Sequence, residues 1–225
     1  MEQAMPRKLT GAVFVSLDGV MQAPGGPEED PTGHFRCGGW VAPYWDPDMG
    51  PFEGVIMGEY DLLLGKRTYD IFSGFWPHNR DQPIGEKFQQ IDKYVLTHSD
   101  EPLEWENSHR LSGDTAEAVS SLKATEGRDL LIQGSSTLYP PLLSARLIDR
   151  LMLISFPIVL GRGKRIFDGS EQPSSLKLVD HFVSPKGVVI TTYEPEGDVP
   201  TGSFETKEPS EEELERREKM KAGTW

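Results

Sequence analysis

The sequence predicts an α/β protein with a mixed, mostly parallel sheet covered by helices on both faces. Short apolar runs rich in Val, Leu and Ile alternate with helical patterns along most of the chain. The last two runs, near 176–183 and 187–193, are joined by Pro185-Lys186-Gly187, a short turn that predicts a C-terminal hairpin. The chain has 225 residues, enough to bury a substantial core, and 36% of them are hydrophobic.

The first third of the chain predicts a strand, a long loop, a helix and a second strand. Residues 8–16, KLTGAVFVS, predict the first strand, and the Pro- and Gly-rich stretch after it predicts a long loop. Long loops inside compact domains commonly carry binding residues. A helix is predicted over 47–60 with Asp46 as its N-cap. The apolar run at 61–65 predicts a buried strand, and a short helix opens at Lys66.

Strand and helix patterns continue to alternate in the rest of the chain. Strands are predicted at 93–97 and 129–133. Asp114 begins a capping-box pattern, so a helix follows it. Another helix is predicted to open at Gly134-Ser135-Ser136, and an extended apolar stretch covers 147–160.

The composition changes after about residue 195. From there the chain is rich in Pro, Gly, Thr and Glu, and residues 209–221 predict a solvated, charge-rich helix. We therefore expect one domain over 1–195 and an acidic, mobile tail over 196–225.

Composition also excludes several classes of function. The formal net charge of −13 opposes binding to a nucleic-acid backbone, but does not exclude one small anion at a local basic site. No apolar run approaches the roughly 20 residues of a membrane-spanning helix, and the start of the chain lacks the apolar core of a secretory signal. The single cysteine, Cys37, fits a reducing compartment, and the histidines lack metal-ligand spacing. We expect a cytoplasmic protein without a metal, nucleic-acid or membrane partner.

A glycine and two cations follow the strand predicted at 61–65. Gly65 lets the backbone approach a ligand closely, and the helix that opens at Lys66 directs free N–H groups and a partial positive charge at the same space. Arg67 adds a fork of donors suited to phosphate, and Thr68 adds a hydroxyl. The alternative is an ordinary first helical turn with surface cations, a placement that is mildly unfavourable. The sequence leaves both interpretations open.

Two further predicted strands end in residues of the same kind. Gly134-Ser135-Ser136 follows the strand at 129–133 and either forms an anion cradle or caps a helix. Thr97 and His98 end the strand at 93–97 and either face a ligand or form a polar turn. Ligands of open α/β sheets bind at the carboxyl ends of the strands. The three strand ends therefore predict one site for an extended, phosphate-bearing molecule.

Five separated motifs, in this order, resemble the dihydrofolate reductase-like superfamily: LTGAVFVSLDG, LLLGKRTYDIFSGFWP, KYVLTHS, LLIQGSSTLY and PIVLGRGKRIF. The resemblance covers about residues 8–193 and is strongest to the branch shared with the reductase domain of bacterial riboflavin biosynthesis. It implies a dihydrofolate reductase-like fold that binds NADPH. The positions that it implies for NADPH are Lys66 at the 2′-phosphate, Thr97 and His98 beside that phosphate and the adenine, Arg67, Thr68, Gly134, Ser135 and Ser136 along the pyrophosphate, and the backbone near Phe14, Val15 and Met21 at the nicotinamide carboxamide.

Two features depart from the pattern of that family. Most dihydrofolate reductases carry a Gly-Gly pair with a cis peptide where this chain has Gly134-Ser135, which leaves the local geometry open. Pro140-Pro141 lies inside the helix expected to follow, and a proline beyond the first turn breaks or kinks a helix. We therefore expect this helix to be short or bent.

Asp48 and Asp18 are the candidate catalytic acids. The family has a substrate-binding carboxylate at the start of the helix before the LLLG-like strand, and Asp48 is its nearest match. A half-buried acid there can hydrogen-bond an amino-heterocycle and help to protonate it, although helix capping is the alternative, as it is for Asp46. Asp18 either shapes the turn before Gly19 or lines the pocket beside the nicotinamide.

The candidate substrate residues are three aromatic side chains and a basic turn. Trp40, Tyr44 and Trp45 can stack on a flat substrate or pack in the core, and we expect a mixture of both. The resemblance implies that the turn at 161–165 lies at the rim of the substrate cleft, so Arg162, Lys164 or Arg165 is a candidate for a substrate phosphate, with an ordinary surface turn as the alternative.

The sequence thus predicts an NADPH-dependent reductase that transfers hydride to a small, flat heterocyclic substrate. The alternatives are a riboflavin-pathway reductase acting on a ribosylamino-pyrimidine phosphate and a nucleotide-binding module without turnover. The resemblance also implies a homodimer, which we expect to form through the apolar stretch at 147–160.

Overall fold

The computed structural model describes residues 6–169, 172–204 and 207–224. Residues 1–5 and 170–171 of the predicted domain, and Glu205, Thr206 and Trp225 of the predicted tail, lie outside the described residues. The strands are β1 (Leu9–Ser16), β2 (Asp61–Gly65), β3 (Lys93–Leu96), β4 (Ser108–Leu111), β5 (Leu130–Gln133), β6 (Arg150–Phe156), β7 (Ser175–Val183) and β8 (Val189–Gly197). The helices are α1 (Pro51–Ile56), α2 (Lys66–Phe75), α3 (Pro83–Gln90), α4 (Thr115–Lys123), α5 (Tyr139–Ser144) and α6 (Glu211–Ala222), and short 3-10 turns cover Thr32–His34, Ala42–Tyr44 and Trp76–His78.

The strands form one eight-stranded sheet in the order β4-β3-β2-β5-β1-β6-β8-β7. The first six strands of this order run parallel, and β8 pairs antiparallel with both β6 and β7. The predicted mixed, mostly parallel sheet with a C-terminal hairpin is therefore confirmed. The strands predicted at 8–16, 61–65, 93–97 and 129–133 are correct to within one residue.

Both faces of the sheet are buried, as an all-apolar strand such as β2 requires. Leu62 and Leu64 pack into one hydrophobic cluster, whereas Leu63 between them packs into the other. Successive side chains of a strand point to opposite faces, so the two clusters lie on the two sides of the sheet. The sheet is thereby held rigidly, and the loops at its edge are fixed relative to one another.

The helix predicted over 47–60 is wrong in length. It covers only Pro51–Ile56, because Gly50 takes a φ of 49° that no α-helix contains. Asp46 does not cap this helix: its Oδ1 accepts the N–H of Asp48 at 3.0 Å, and the Oδ1 of Asp48 accepts the N–H of Gly50 at 3.1 Å. The two aspartates therefore stabilise successive turns before the helix.

Other helix ends follow the local chemistry. Asp114 caps α4 by accepting the N–H groups of Ala116 and Glu117 at 2.9 and 3.0 Å, as predicted. The helix predicted to open at Gly134 begins only at Tyr139, so Pro140 and Pro141 lie in its first turn and the helix is short. The helix α3 and the mostly polar strand β4 are not among the elements predicted from the sequence.

The stretch proposed for dimer contacts lies inside the sheet. Its strand β6 is hydrogen-bonded to β1 on one side and β8 on the other, so neither edge is free to pair with a second copy. Exposed apolar side chains occur at Val159, within the predicted stretch, and on the edge strand β7 at Leu178, Val179 and Val183. A dimer through 147–160 would therefore not form by pairing of β6 with a second copy, and the homodimer and its contact stay predictions.

The segment after β8 differs in character from the rest of the chain. The helix α6 has no buried residue and carries charged pairs within its own turns, including Lys219 with Glu215 and Lys221 with Glu218. The charge-rich helix predicted at 209–221 is therefore present. No helix of the described residues is long and apolar enough to cross a membrane.

Candidate functional site

Three neighbouring parallel strands end at one edge of the sheet. Gly65 ends β2, Leu96 ends β3 and Gln133 ends β5, and β2 pairs with both of the others. The loops that follow them surround a cavity of about 410 Å³. The predicted cofactor-binding residues that line this cavity are Met21, Gly65, Lys66, Arg67, Thr68, Thr97, His98, Gly134, Ser135 and Ser136.

The loop after β5 is fastened to the start of α2. Gly134 and Ser135 have positive φ angles of 74° and 60°, a conformation that is costly for serine. Two hydrogen bonds hold it: the N–H of Gly65 donates to the Oγ of Ser135, and the N–H of Ser135 donates to the Oγ1 of Thr68, both at 2.9 Å. These groups therefore position the loop. No peptide bond among the described residues is cis.

Gly134 cannot carry a side chain without disturbing this junction. A Cβ at this position would lie 3.1 Å from the Cγ2 of Thr68, and a φ of 74° strains any L-residue. The glycine thus keeps the strand end close to the first turn of α2.

Carboxylates accompany the cations of the large cavity. The ammonium of Lys66 lies 2.8 Å from Asp70 and 3.1 Å from Glu101, and the hydrogen bond with Asp70 is the main cause of its raised pKa. An intrahelical pair of this kind offsets the unfavourable position of a cation in the first turn of α2. The lysine is therefore fixed at the cavity wall in its charged form.

Asp30 joins the long loop after β1 to the other walls of the cavity. Its Oδ2 lies 3.6 Å from the Arg67 guanidinium and accepts a hydrogen bond from the ammonium of Lys164, while its Oδ1 accepts from Thr32. Burial alone would raise the pKa of Asp30, but the hydrogen bonds from Lys164 and Thr32 outweigh burial and lower it. An ionised Asp30 therefore links the loop to α2 and to the segment after β6.

A second, apolar cavity of about 180 Å³ adjoins the first, and Met21 and Gly134 line both. Phe14, at the carboxyl half of β1, lines the apolar cavity. Val15, the next residue, lines neither cavity and is buried in the core on the other face of β1. Together the cavities form a cleft with a charged part and an apolar part.

The aromatic residues predicted for the substrate mostly belong to the core. Trp40 is buried, donates its Nε1–H to the carbonyl of Gln22 at 2.8 Å and packs edge-on against Phe156. Tyr44 is half-buried and also packs against Phe156, and Trp45 is 43% exposed. None of the three lines the two cavities.

The two predicted catalytic acids lie outside both cavities. Asp48 is exposed, contrary to the half-buried position expected for it, and its carboxylate accepts the N–H of Gly50. Asp18 is tied to backbone and to one cation: it accepts from Ser16 Oγ at 2.7 Å, from the N–H of Leu160 and Gly161 at 3.0 and 2.8 Å, and lies 3.3 Å from the Arg165 guanidinium. The bond from Ser16, with those from the backbone, holds the pKa of Asp18 far below its usual value. For Asp18 this placement favours the turn-shaping alternative, whereas Asp48 neither lines a cavity nor caps α1 and stabilises the turn before it.

The basic turn at 161–165 contributes one of its three candidate residues, Lys164, to the lining of the cleft. Arg162 is exposed and lines neither cavity, whereas Lys164 lines the large cavity beside Asp30. Arg165 donates to the carbonyl of Asp18 at 2.9 Å and fastens the turn to the loop after β1.

Sequence reasoning missed several residues of the cleft. Phe72 of α2 and Trp76, which directly follows α2, line the apolar cavity, and their spacing from the buried Tyr69 is typical of one helix face. Asp30 and Gln133 gave no signal, because a single polar residue in a loop or at a strand end has no periodicity. Among the described residues, no group of three or more His, Cys, Asp or Glu side chains is placed to hold a metal ion.

Known proteins resemble this chain over most of its length. Residues 7–190 match the RibD C-terminal domain family. The uncharacterized protein YyaP of Bacillus subtilis (strain 168) is 26% identical over 191 residues, which cover 83% of this chain and 94% of that protein.

Solved structures share the fold. A putative riboflavin biosynthesis protein from Shewanella sp. PV-4 superposes with a TM-score of 0.65 at 21% identity, covering 84% of this chain and 99% of that one. Dihydrofolate reductase from Enterococcus faecalis, complexed with NADP(H), superposes with a TM-score of 0.53 at 18% identity, covering 84% and 96%. These likenesses agree with the dihydrofolate reductase-like fold implied by the motifs. The chain belongs to the RibD C-terminal domain family and has this fold.

Proposed function

We propose that the protein is an NADPH-dependent reductase that transfers hydride to a small, flat heterocyclic substrate. The observation that carries the proposal is the two-part cleft at the carboxyl ends of β2, β3 and β5. Its charged part suits a phosphate-bearing dinucleotide, and its apolar part suits the two reacting rings. Membership of a reductase family agrees with this assignment.

The residues of the large cavity fit the phosphates of NADPH. The N–H groups in the first turn of a helix have no intrahelical acceptor, and no side chain of the described residues caps α2, so these groups are available to an anion. Lys66 would hold the 2′-phosphate, and Arg67 with Ser136 would hold the pyrophosphate. When bound, the cofactor supplies the hydride.

The chain's own part in the reaction is to orient the rings and exclude water. Phe14, Phe72 and Trp76 surround the apolar cavity, and none of the described residues lining it titrates. Carbon-to-carbon hydride transfer gains from such dry, fixed surroundings. We therefore expect a proton needed by the reduced substrate to come from water at the mouth of the cleft.

A riboflavin-pathway pyrimidine reductase is the second candidate function, because the family is named for a domain of a riboflavin biosynthesis protein. The third is a module that binds the nucleotide without turnover. We also propose a homodimer, which light scattering of the purified protein would test against a monomer.

One experiment separates these functions. The protein is mixed with NADPH, and cofactor fluorescence reports binding. Oxidation after addition of dihydrofolate or of a ribosylamino-pyrimidine phosphate supports the corresponding reductase. Binding without oxidation by any reducible heterocycle supports the module, and absence of binding contradicts all three.

Arg67→Ala is expected to weaken NADPH and NADH binding to a similar extent, by about 10-fold, because the pyrophosphate is common to both and a charge-assisted hydrogen bond contributes about 1.5–3 kcal/mol. Titration of cofactor fluorescence measures the effect. Arg150→Ala is the matched control. Arg150 is the first residue of β6, so it lies at the amino ends of the parallel strands, away from the cleft, and it pairs with Glu194. Equal losses in the two variants would contradict a specific contact at Arg67.

A further inference from the structure

Gln133, a residue in the wall of the cleft, has a hydrogen-bond acceptor without a partner among the described residues. Gln133 is the last residue of β5 and lines the apolar cavity. Its Oε1 is buried and has no hydrogen-bond partner among the described residues. Buried polar atoms of native proteins are nearly always paired, so an unpaired one calls for a reason.

A second glutamine, Gln22, has both ends of its side-chain amide hydrogen-bonded within the protein. Gln22 is buried, and its Nε2 donates to the carbonyls of Asp30 and Thr32 at 2.9 and 2.8 Å. Its Oε1 accepts the N–H of Lys164 at 3.1 Å. Gln133 differs from Gln22, because the carbonyl oxygen of its side-chain amide accepts no hydrogen bond from the described residues.

The surroundings of Gln133 define the chemistry of a partner. The rings of Phe14, Phe72 and Trp76 and the apolar side chain of Val41 line the same cavity. Such rings suit a flat, conjugated molecule. Gly134, which follows Gln133, lines both cavities, so Gln133 lies beside the junction of the two parts of the cleft.

We propose that Gln133 selects the substrate: its Oε1 accepts a hydrogen bond from a ring N–H or O–H of the flat molecule that enters the apolar cavity. This inference rests on the proposed function and adds the feature that the substrate must carry. A ring without the donor leaves Oε1 buried and unpaired, and sites built around such a group reject the analogue that lacks its partner.

The first test needs no ligand. Gln133→Leu replaces an unpaired amide by an apolar side chain of similar size, so the melting temperature of the ligand-free protein is expected to rise by about 2–4 °C. Gln22→Leu removes paired groups and is expected to lower it. A fall for Gln133→Leu similar to that for Gln22→Leu would assign Gln133 to the structure and overturn the proposal.

The second test uses a matched pair of probes, lumazine and its N,N′-dimethyl derivative, which has the same rings but no N–H. Calorimetry is expected to give wild-type protein loaded with NADP⁺ a preference for lumazine of about tenfold or more, and Gln133→Leu no preference. A preference that survives in Gln133→Leu, equal binding of both probes by the wild type, or binding of neither probe overturns the proposal.

NADPH titration of the same two proteins separates this inference from the proposed function. If the wild type and Gln133→Leu both bind NADPH, and Gln133→Leu keeps the preference of the wild type for lumazine, only the proposed role of Gln133 is contradicted. If the wild type does not bind NADPH, the proposed reductase function is contradicted. The melting temperatures then still show whether the amide of Gln133 is paired in the folded protein.

Discussion

Lys66→Ala is expected to weaken NADPH binding by about 10- to 100-fold and to change NADH binding little. The ammonium of Lys66 lines the large cavity and is held in its charged form by Asp70 and Glu101. Hydrogen bonds to charged groups contribute about 1.5–3 kcal/mol, and only NADPH carries the 2′-phosphate assigned to this residue. Calorimetric titration with each cofactor measures the two affinities.

The control for this prediction is Lys177→Ala, which removes the same charge from an exposed position on the edge strand β7. It is expected to leave both affinities unchanged. Equal losses of affinity for NADPH and NADH in Lys66→Ala would mean that the lysine does not contact the 2′-phosphate. Our basis for choosing NADPH over NADH would then be lost.

Asp18→Asn is expected to lower the free energy of unfolding by about 2–3 kcal/mol, because charge-assisted hydrogen bonds at one carboxylate are weakened together. These bonds fasten the segment after β6 to the loop after β1. Urea unfolding measures the change. Asp48→Asn is the matched control, since the exposed Asp48 accepts one backbone hydrogen bond, and a change within about 0.5 kcal/mol is expected.

The same aspartate predicts a dependence of stability on pH. The folded protein lowers the pKa of Asp18 from its usual value of 3.8, so its contribution is fully present above about pH 4. The contribution is lost as the pH falls below that value, because the unfolded chain then binds the proton more readily. Unfolding of Asp18→Asn should therefore depend less on pH in this acid range. Identical acid unfolding of the variant and the wild type would contradict the anchoring role.

The sequence revealed the charged part of the cleft because its residues follow strands that are easy to recognise. The apolar run Leu62–Leu64 locates β2, and the residues after it must lie at the carboxyl edge of a parallel sheet. Neighbouring parallel strands bring Thr97 and Gly134 to the same edge. The order of local signals was therefore enough to assemble this part of the site.

The apolar part and the roles of the aspartates needed the three-dimensional structure. Nothing in the sequence around Asp18 indicates that its carboxylate meets the backbone of Leu160 and Gly161, which are distant in the chain. Asp48 was assigned by analogy to a helix start, and the positive φ of Gly50 moved that start to Pro51. Long-range contacts and single-residue turn geometry leave no periodic trace in a sequence.

The measurement that tests the central claim most directly is a calorimetric titration of the purified, folded full-length protein with NADPH near neutral pH. A two-part cleft with Lys66, Arg67 and the first turn of α2 in its charged half predicts saturable binding of one NADPH per chain, tighter than that of NADH. Absence of heat from either nucleotide, in a sample that unfolds cooperatively, would contradict the account.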